Sequence, residues 1–263
     1  MLVLHLFIFL PGVALAQSEP THDDPDIVEV MQQHRAVQGT VIIANEEGNI
    51  AYIYNKKRAN SRLSPASTFK IANSIIAIEE GVIKDQYEII KWDGTKRFFD
   101  FWNRDQNLKT AFLNSCVWFY QEIAKSIGNS KYLQYLKKFD YGNHLTGKQV
   151  TTFWLEGKGD LQITPLEQVA FLYKLYHRKL AISARTYDIL EDIMLEDKNA
   201  NYKIYSKEAS ATQGGRGHVW YIAYITAKGH TWFVVTNIPV NTKKDFSKRR
   251  TVTMEVLKRK GIV

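Results

Sequence analysis

Apolar and polar positions follow three different rhythms along this chain, and the changes of rhythm divide it. After a polar lead-in, Pro25 to His34 carries apolar residues at helical spacing. Gly39-Thr-Val-Ile-Ile-Ala44 is then a β-branched run, Glu46-Glu-Gly-Asn49 has turn chemistry, and Ile50-Ala-Tyr-Ile-Tyr54 is a second run, so a hairpin is predicted. Ser64 can serve as an N-cap and Pro65 suits the first position of a helix running through Ile75, Ile76 and Ile78 to a stop at Gly81. Apolar residues lie on more than one side of that helix, which places it inside the molecule. From about Gln86 to Arg185 the pattern is mostly helical, with short loops. Strand patterns return at Tyr202–Ser206, Val219–Thr226 and Thr231–Ile238, separated by Gln213-Gly-Gly-Arg-Gly217 and Lys228-Gly229, and a last helix spans about Lys244 to Arg259.

Sheet and helix therefore share the two ends of the chain while the middle is helical. The economical arrangement is an α+β fold: one antiparallel β-sheet built from both ends, flanked by the N- and C-terminal helices, with an all-α region (about 86–190) inserted. A cleft between the two regions is the expected place for a small-molecule site.

Composition changes the picture in two places. Leu2 to Leu15 is an apolar run, short for a bilayer span and broken by Pro11, ending Ala14-Leu15-Ala16-Gln17. This reads as a signal peptide over residues 1–16, although it lacks a positive n-region, and leaves residues 17–263 as one mature, secreted domain with no membrane anchor. The formal net charge of +8 raises the possibility of nucleic acid. Much of it sits on Lys243, Lys244, Lys248, Arg249, Arg250, Lys258, Arg259 and Lys260, around a helix whose inner face is Val252, Val256 and Leu257, so a solvated outer face accounts for most of it. No nucleic-acid module signature accompanies these charges, and no nucleic-acid partner is expected. The single cysteine, Cys116, excludes an intrachain disulfide and cysteine-based metal sites, and the seven histidines form no metal-binding pair, so no metal is expected.

The candidate chemistry lies at the start of the central helix. Ser67 falls in its first turn, where backbone N–H groups lack intrahelical acceptors, and Lys70 lies one turn on along the same face. A hydroxyl, an amine within its reach and a free N–H are the parts of an acyl-transfer centre. About one Ser-x-x-Lys is expected by chance in such a chain, and a serine bonded to a carbonyl beside a snorkelling lysine would give the same letters. Three later stretches bear on the choice. Ser115-Cys116-Val117 offers a second hydroxyl, or a serine that merely bonds a helix carbonyl. Tyr141-Gly142-Asn143 is equally a glycine-bearing cap loop. Phe153-Trp154-Leu155-Glu156-Gly157 is a loop with large aromatics that core packing alone would explain.

In this order the residues resemble the class D serine β-lactamases, a family marked by Ser-Thr-Phe-Lys, Ser-x-Val, Tyr-Gly-Asn, Trp-x-x-Gly and a Lys-Thr-Gly-type strand. The first four motifs stand intact, and the resemblance runs from about Asp24 to the C-terminus. It implies a β-lactamase/transpeptidase-like fold, β-lactam small molecules as substrates, a periplasmic monomer or homodimer, and no cofactor beyond CO2 or bicarbonate. Ser67 would be the nucleophile and Lys70 the general base, as an Nζ-carbamate. Only a neutral amine reacts with CO2, and burial beside Phe69, Val117, Trp154 and Leu155 disfavours the ammonium. Trp154 would donate its indole N–H to the carbamate, Ser115 would relay a proton to the leaving nitrogen, and Val117, Tyr141, Asn143 and Leu155 would shape the substrate cleft. The Ser67 N–H would supply half of the oxyanion hole.

The resemblance fails at the last motif. Lys207-Glu208-Ala209 stands where Lys-Thr-Gly is expected, and Ser210, the next residue, would give the second oxyanion N–H. Lys207 would keep its place in substrate binding, and Arg249 would receive the substrate carboxylate. Glu208 at about 5 Å from that carboxylate would repel it by about 3 kcal/mol at an effective dielectric near 20, about two decades in affinity. Strand alternation could instead turn Glu208 away from the Lys207 face. Two functions follow: a serine β-lactamase, weakened or respecialised by this strand, or a non-hydrolytic β-lactam-binding sensor or inactive relative.

Overall fold

The computed structural model describes residues 20, 22–155, 160–213 and 216–263. The expected signal peptide, Glu156-Gly157 and the Gly214-Gly215 tip lie outside the described residues. In chain order the helices are α1 (Pro25–Gln33), α2 (Lys56–Ala59), α3 (Lys70–Glu79), α4 (Leu108–Leu113), α5 (Val117–Ile127), α6 (Asn129–Phe139), α7 (Pro165–Tyr176), α8 (Ala184–Met194) and α9 (Lys248–Arg259). The strands are β1 (Thr40–Ala44), β2 (Ile50–Tyr54), β3 (Ile89–Ile90), β4 (Gln106–Asn107), β5 (Leu195–Lys198), β6 (Tyr202–Gln213), β7 (Arg216–Ala227) and β8 (His230–Val240).

Six strands form one antiparallel sheet in the order β2-β1-β8-β7-β6-β5. The N-terminal hairpin docks on β8, so the two ends of the chain build the sheet together, as expected. One face packs on α1 and α9 through Ile27, Val30, Val41, Val219, Val252 and Val256. The other packs on α3 and the helical middle through Ile42, Ile71, Ile75, Phe119, Trp220 and Phe233. Period-two alternation divides the buried residues of β1, β7 and β8 between these layers.

The strands are longer than the pattern predicts. β6 continues through Lys207-Glu208-Ala209 to Gln213 because Ala209 and Ala211 keep the alternation with small residues, which propensity reads as neutral. Lys228 and Gly229 both have positive φ (53° and 80°), which gives the β7–β8 hairpin the twist of its strands. β5 is polar and short, and the β3–β4 ribbon inside the helical middle has two residues a side; neither has a hydrophobic period to announce it. The central helix is also corrected at its start. Ser64 is not its N-cap: the chain first forms a 3-10 turn over Ala66–Phe69, and the Ser64 hydroxyl donates to the Trp154 carbonyl (3.1 Å). At the other end Gly81, with φ +67°, closes α3 as expected.

Candidate active site

Ala66 takes a left-handed conformation (φ +46°) although it is buried. Such backbone costs about 1–3 kcal/mol and persists only where surrounding structure imposes it. Here His218 and Trp220 of β7 both reach the Ser64 carbonyl (2.9 and 3.0 Å), Thr68 Oγ1 donates to Pro65 O (2.7 Å), and Gln168 of α7 donates to Thr68 Oγ1 (2.7 Å). These bonds fix the turn that turns Ser67, half-buried, toward the cleft.

Lys70 begins α3 directly behind it, with no solvent exposure, and its Nζ donates to Ser67 Oγ at 2.8 Å. Loss of hydration pushes the ammonium well below its ordinary pKa, and the nearby Lys207 charge adds to the push. Burial therefore favours the neutral amine, the form able to accept the serine proton. The indole of Trp154 is fully buried, 5.8 Å from the ring of Phe69, the residue before Lys70, and its Nε1–H has no acceptor among the described residues. A buried donor without a partner is costly, and an acidic group on Lys70 is what this donor would satisfy. The residues fit a carbamate at that position.

A second pair stands on the same cleft. Ser115 lies between α4 and α5 with φ +51°, outside any helix, and accepts from Lys207 Nζ at 2.6 Å. Lys207 is 5% exposed, and burial lowers its pKa to about 8. Beyond Tyr205, β6 has no strand beside it on the β5 side among the described residues, so that edge runs along the cleft. The cleft holds about 1380 Å³, and Ser67, Ser115, Lys207, Ser210 and Arg249 all line it, with Val117 and Leu155 on its walls.

Tyr141 and Asn143 do not line it, which corrects the sequence expectation. Tyr141 is fully buried behind the site, edge-on to Phe69 (5.6 Å) and Phe171 (4.9 Å). Asn143 ties two loops together, donating to Asp160 O (2.6 Å) and accepting from Gln162 N (3.0 Å). Gly142 between them has φ +60°, and a Cβ there would lie 2.3 Å from Gln162 O. The motif braces the scaffold behind Phe69 and Trp154.

Glu208 resolves the question raised by the altered strand. Alternation does turn it from the Lys207 face toward α9, yet the residue still lines the cleft. There it meets Arg249 Nε (2.7 Å) and Nη2 (2.6 Å). Paired with that cation it presents a dipole, whose field falls off faster than that of the lone charge assumed in the repulsion estimate. The defect in carboxylate binding is therefore lost attraction. Arg249 is only 19% exposed at its side chain, as expected for a residue facing the cleft.

Two features of the cleft escaped the sequence reading. Glu196 on β5 lines it, held by Arg250 (2.8 Å) and the Tyr221 hydroxyl (2.7 Å); nothing in Leu195-Glu-Asp-Lys198 marks this. Phe99, Phe101 and Trp102 form an apolar lip, with Phe99 stacked on Phe101 at 5.2 Å. That lip had a visible signal, four aromatics in the five residues Phe98-Phe-Asp-Phe-Trp102 within a loop.

Residues 38–258 match the penicillin binding protein transpeptidase domain family. β-Lactamase OXA-48 of Klebsiella pneumoniae is 39% identical over 231 residues, 88% of this chain and 86% of that one. The probable β-lactamase YbxI of Bacillus subtilis is 31% identical, over 95% and 91%. Among solved structures, a class D β-lactamase from Sebaldella termitidis superposes with a TM-score of 0.87 at 34% identity, covering 92% of this chain and 98% of that one. The class D YbXI β-lactamase from Nostoc gives 0.86 at 36%, over 90% and 99%.

Proposed function

This chain belongs to the class D serine β-lactamases of the penicillin-binding transpeptidase family, and from that premise we propose how its own residues divide the hydrolysis of a β-lactam amide. The observation that carries the assignment is the fully buried Lys70 amine bonded to Ser67 Oγ at 2.8 Å, its pKa driven down by burial.

Ser67 Oγ attacks the lactam carbonyl carbon as its proton passes to Lys70. The backbone N–H groups of Ser67 and Ser210 receive the oxyanion. The C–N bond breaks, and the ring nitrogen takes a proton through Ser115, whose hydroxyl is held by Lys207. Water then attacks the ester on Ser67, and the product leaves with a new carboxylate. A carbamate on Lys70, within reach of the Trp154 indole N–H, would supply the general base for that water. Val117 and Leu155 form apolar walls of the cleft around Ser67, while Tyr141 and Asn143 brace the scaffold behind Trp154. Residues 17–263 form the catalytic domain behind a leader cut after Ala16, and the periplasm is its place of action. Among the described residues no helix is long and apolar enough to cross a membrane.

The test is a time-resolved intact-mass spectrum of the mature protein with a penicillin in bicarbonate buffer. An adduct on Ser67 that rises and falls as hydrolysed drug accumulates is expected, with none on Ser67→Ala. An adduct that persists would make the protein a binder or sensor, and none over several drug classes would overturn the assignment.

A further inference from the structure

The carboxylate-receiving end of this cleft is already filled by the protein itself. Arg249 has three side-chain nitrogens, and all three have protein partners: Nε and Nη2 meet Glu208 Oε2 at 2.7 and 2.6 Å, and Nη1 meets Ser210 Oγ at 3.2 Å. Glu208 and Arg249 both line the cleft, and their side chains are 30% and 19% exposed. The pair is thus within reach of a ligand yet partly shielded from water, where charge-assisted bonds hold best.

Among the described residues, neither neighbouring cation releases Glu208. Arg250, the next residue of α9, is committed to Glu196 at 2.8 Å. Lys207 Nζ points to Ser115 Oγ (2.6 Å) and to the backbone carbonyl of Glu208 (3.0 Å), not to its carboxylate. A substrate carboxylate arriving at Arg249 must therefore displace Glu208 and leave a bare carboxylate in the cleft wall, or go without the arginine.

We propose that Glu208 acts as a built-in carboxylate on Arg249, so that this enzyme recognises β-lactams without the carboxylate–guanidinium contact. It then accepts β-lactams whose carboxylate is masked nearly as well as the free acids. The inference rests on the β-lactamase assignment and adds a specificity-determining residue to it. What remains to hold substrate is the oxyanion pair, the Lys207–Ser115 corner and the apolar lip of Phe99, Phe101 and Trp102. None of these except Lys207 distinguishes an acid from its ester.

The experiment compares a chromogenic cephalosporin bearing a free C4 carboxylate with its C4 methyl ester, following opening of the lactam ring. The measured quantity is the acid-to-ester ratio of kcat/KM in the wild type, Glu208→Thr and Glu208→Gln, the last of which keeps the side-chain shape and removes the charge. A hydrogen-bonded, charge-assisted contact is worth about ten- to a hundredfold in affinity. The wild-type ratio should then lie below about fivefold, and Glu208→Thr should raise it at least tenfold by improving the acid and leaving the ester unchanged. Glu208→Gln should move it the same way by a smaller factor. A ratio that stays put in both variants, whatever its value, overturns the inference while leaving the assignment intact. If neither compound is opened by any of the three proteins and no adduct forms on Ser67, the assignment itself has failed and the inference goes with it.

Discussion

The two lysines of this cleft live in different surroundings. Lys70 sits at the start of a mostly buried helix, behind the serine it bonds, with the Tyr120 ring 5.1 Å from its Nζ and no carboxylate paired to it among the described residues. Lys207 lies on a strand edge with Glu208, Arg249 and Glu196 nearby, and its pKa is depressed only to about 8. The first end is set by burial with hardly any compensating charge, which leaves little room for substitution. At the second, burial is joined by a set of charges, where Glu208 can replace a hydroxyl once Arg249 is at hand to neutralise it. Chemistry and recognition are therefore separable in this protein. The part that opens and releases the lactam follows the family, and the part that receives the carboxylate departs from it.

The largest effects should come from the buried end. Ser67→Ala or Lys70→Ala should lower the rate of penicillin hydrolysis by at least about a thousandfold, since nucleophile and base act as a unit. Lys70→Met should be as inactive but more stable. The lysine pKa is lower folded than unfolded, so below the unfolded value folding must hold the amine neutral or pay to charge it, and stability rises with pH up to that value. Removing the amine removes this penalty, and the thermal midpoint should rise by about 2–4 °C per kcal/mol recovered. A midpoint that falls would contradict the burial argument.

Trp154→Phe keeps the packing and removes the N–H, and should slow deacylation by about ten- to a hundredfold, as loss of a positioned donor does. The check is accumulation of acyl-enzyme in quenched mass spectra.

The charged end should answer to pH as well. Activity should rise with pH as Lys70, held well below its ordinary pKa, loses its proton, and fall about fivefold between pH 8 and 9 as Lys207 loses its own. Lys207→Arg should carry the alkaline limb up by more than two pH units, because a guanidinium stays charged. A limb that does not move would remove Lys207 from the account. The smallest effect should be that of Tyr141→Phe. Its hydroxyl faces Thr68 and Gln168 behind the site, so kcat/KM should stay within about twofold.

Much of this was legible in the sequence, and what was not has physical reasons. The hairpin, the sheet drawn from both ends and the central helix follow from periodicity, because large buried side chains enforce it. Ser67, Lys70, Ser115 and Lys207 were readable as residues, and their hydrogen-bonded pairing needed the fold. The strained Ala66 and the left-handed Ser115 carry no signature, since neither is glycine. Tyr141-Gly142-Asn143 was misplaced into the cleft because a brace behind a site and a wall of it look alike in one dimension. The sign of the Glu208 effect was readable only as two alternatives, repulsion or a turn away. The structure gives a third, a partner 41 residues along the chain, which no local pattern announces.

The separation of the two ends is tested most directly by resolving acylation from deacylation for one penicillin, by stopped flow and quenched mass spectrometry, in the wild type and Glu208→Thr. The account predicts that the substrate dissociation constant before acylation falls by about tenfold or more in the variant, as Arg249 becomes available, while the deacylation rate constant stays within about twofold. An unchanged dissociation constant with an altered deacylation rate would mean that Glu208 works through Lys70, and that the two ends are one device.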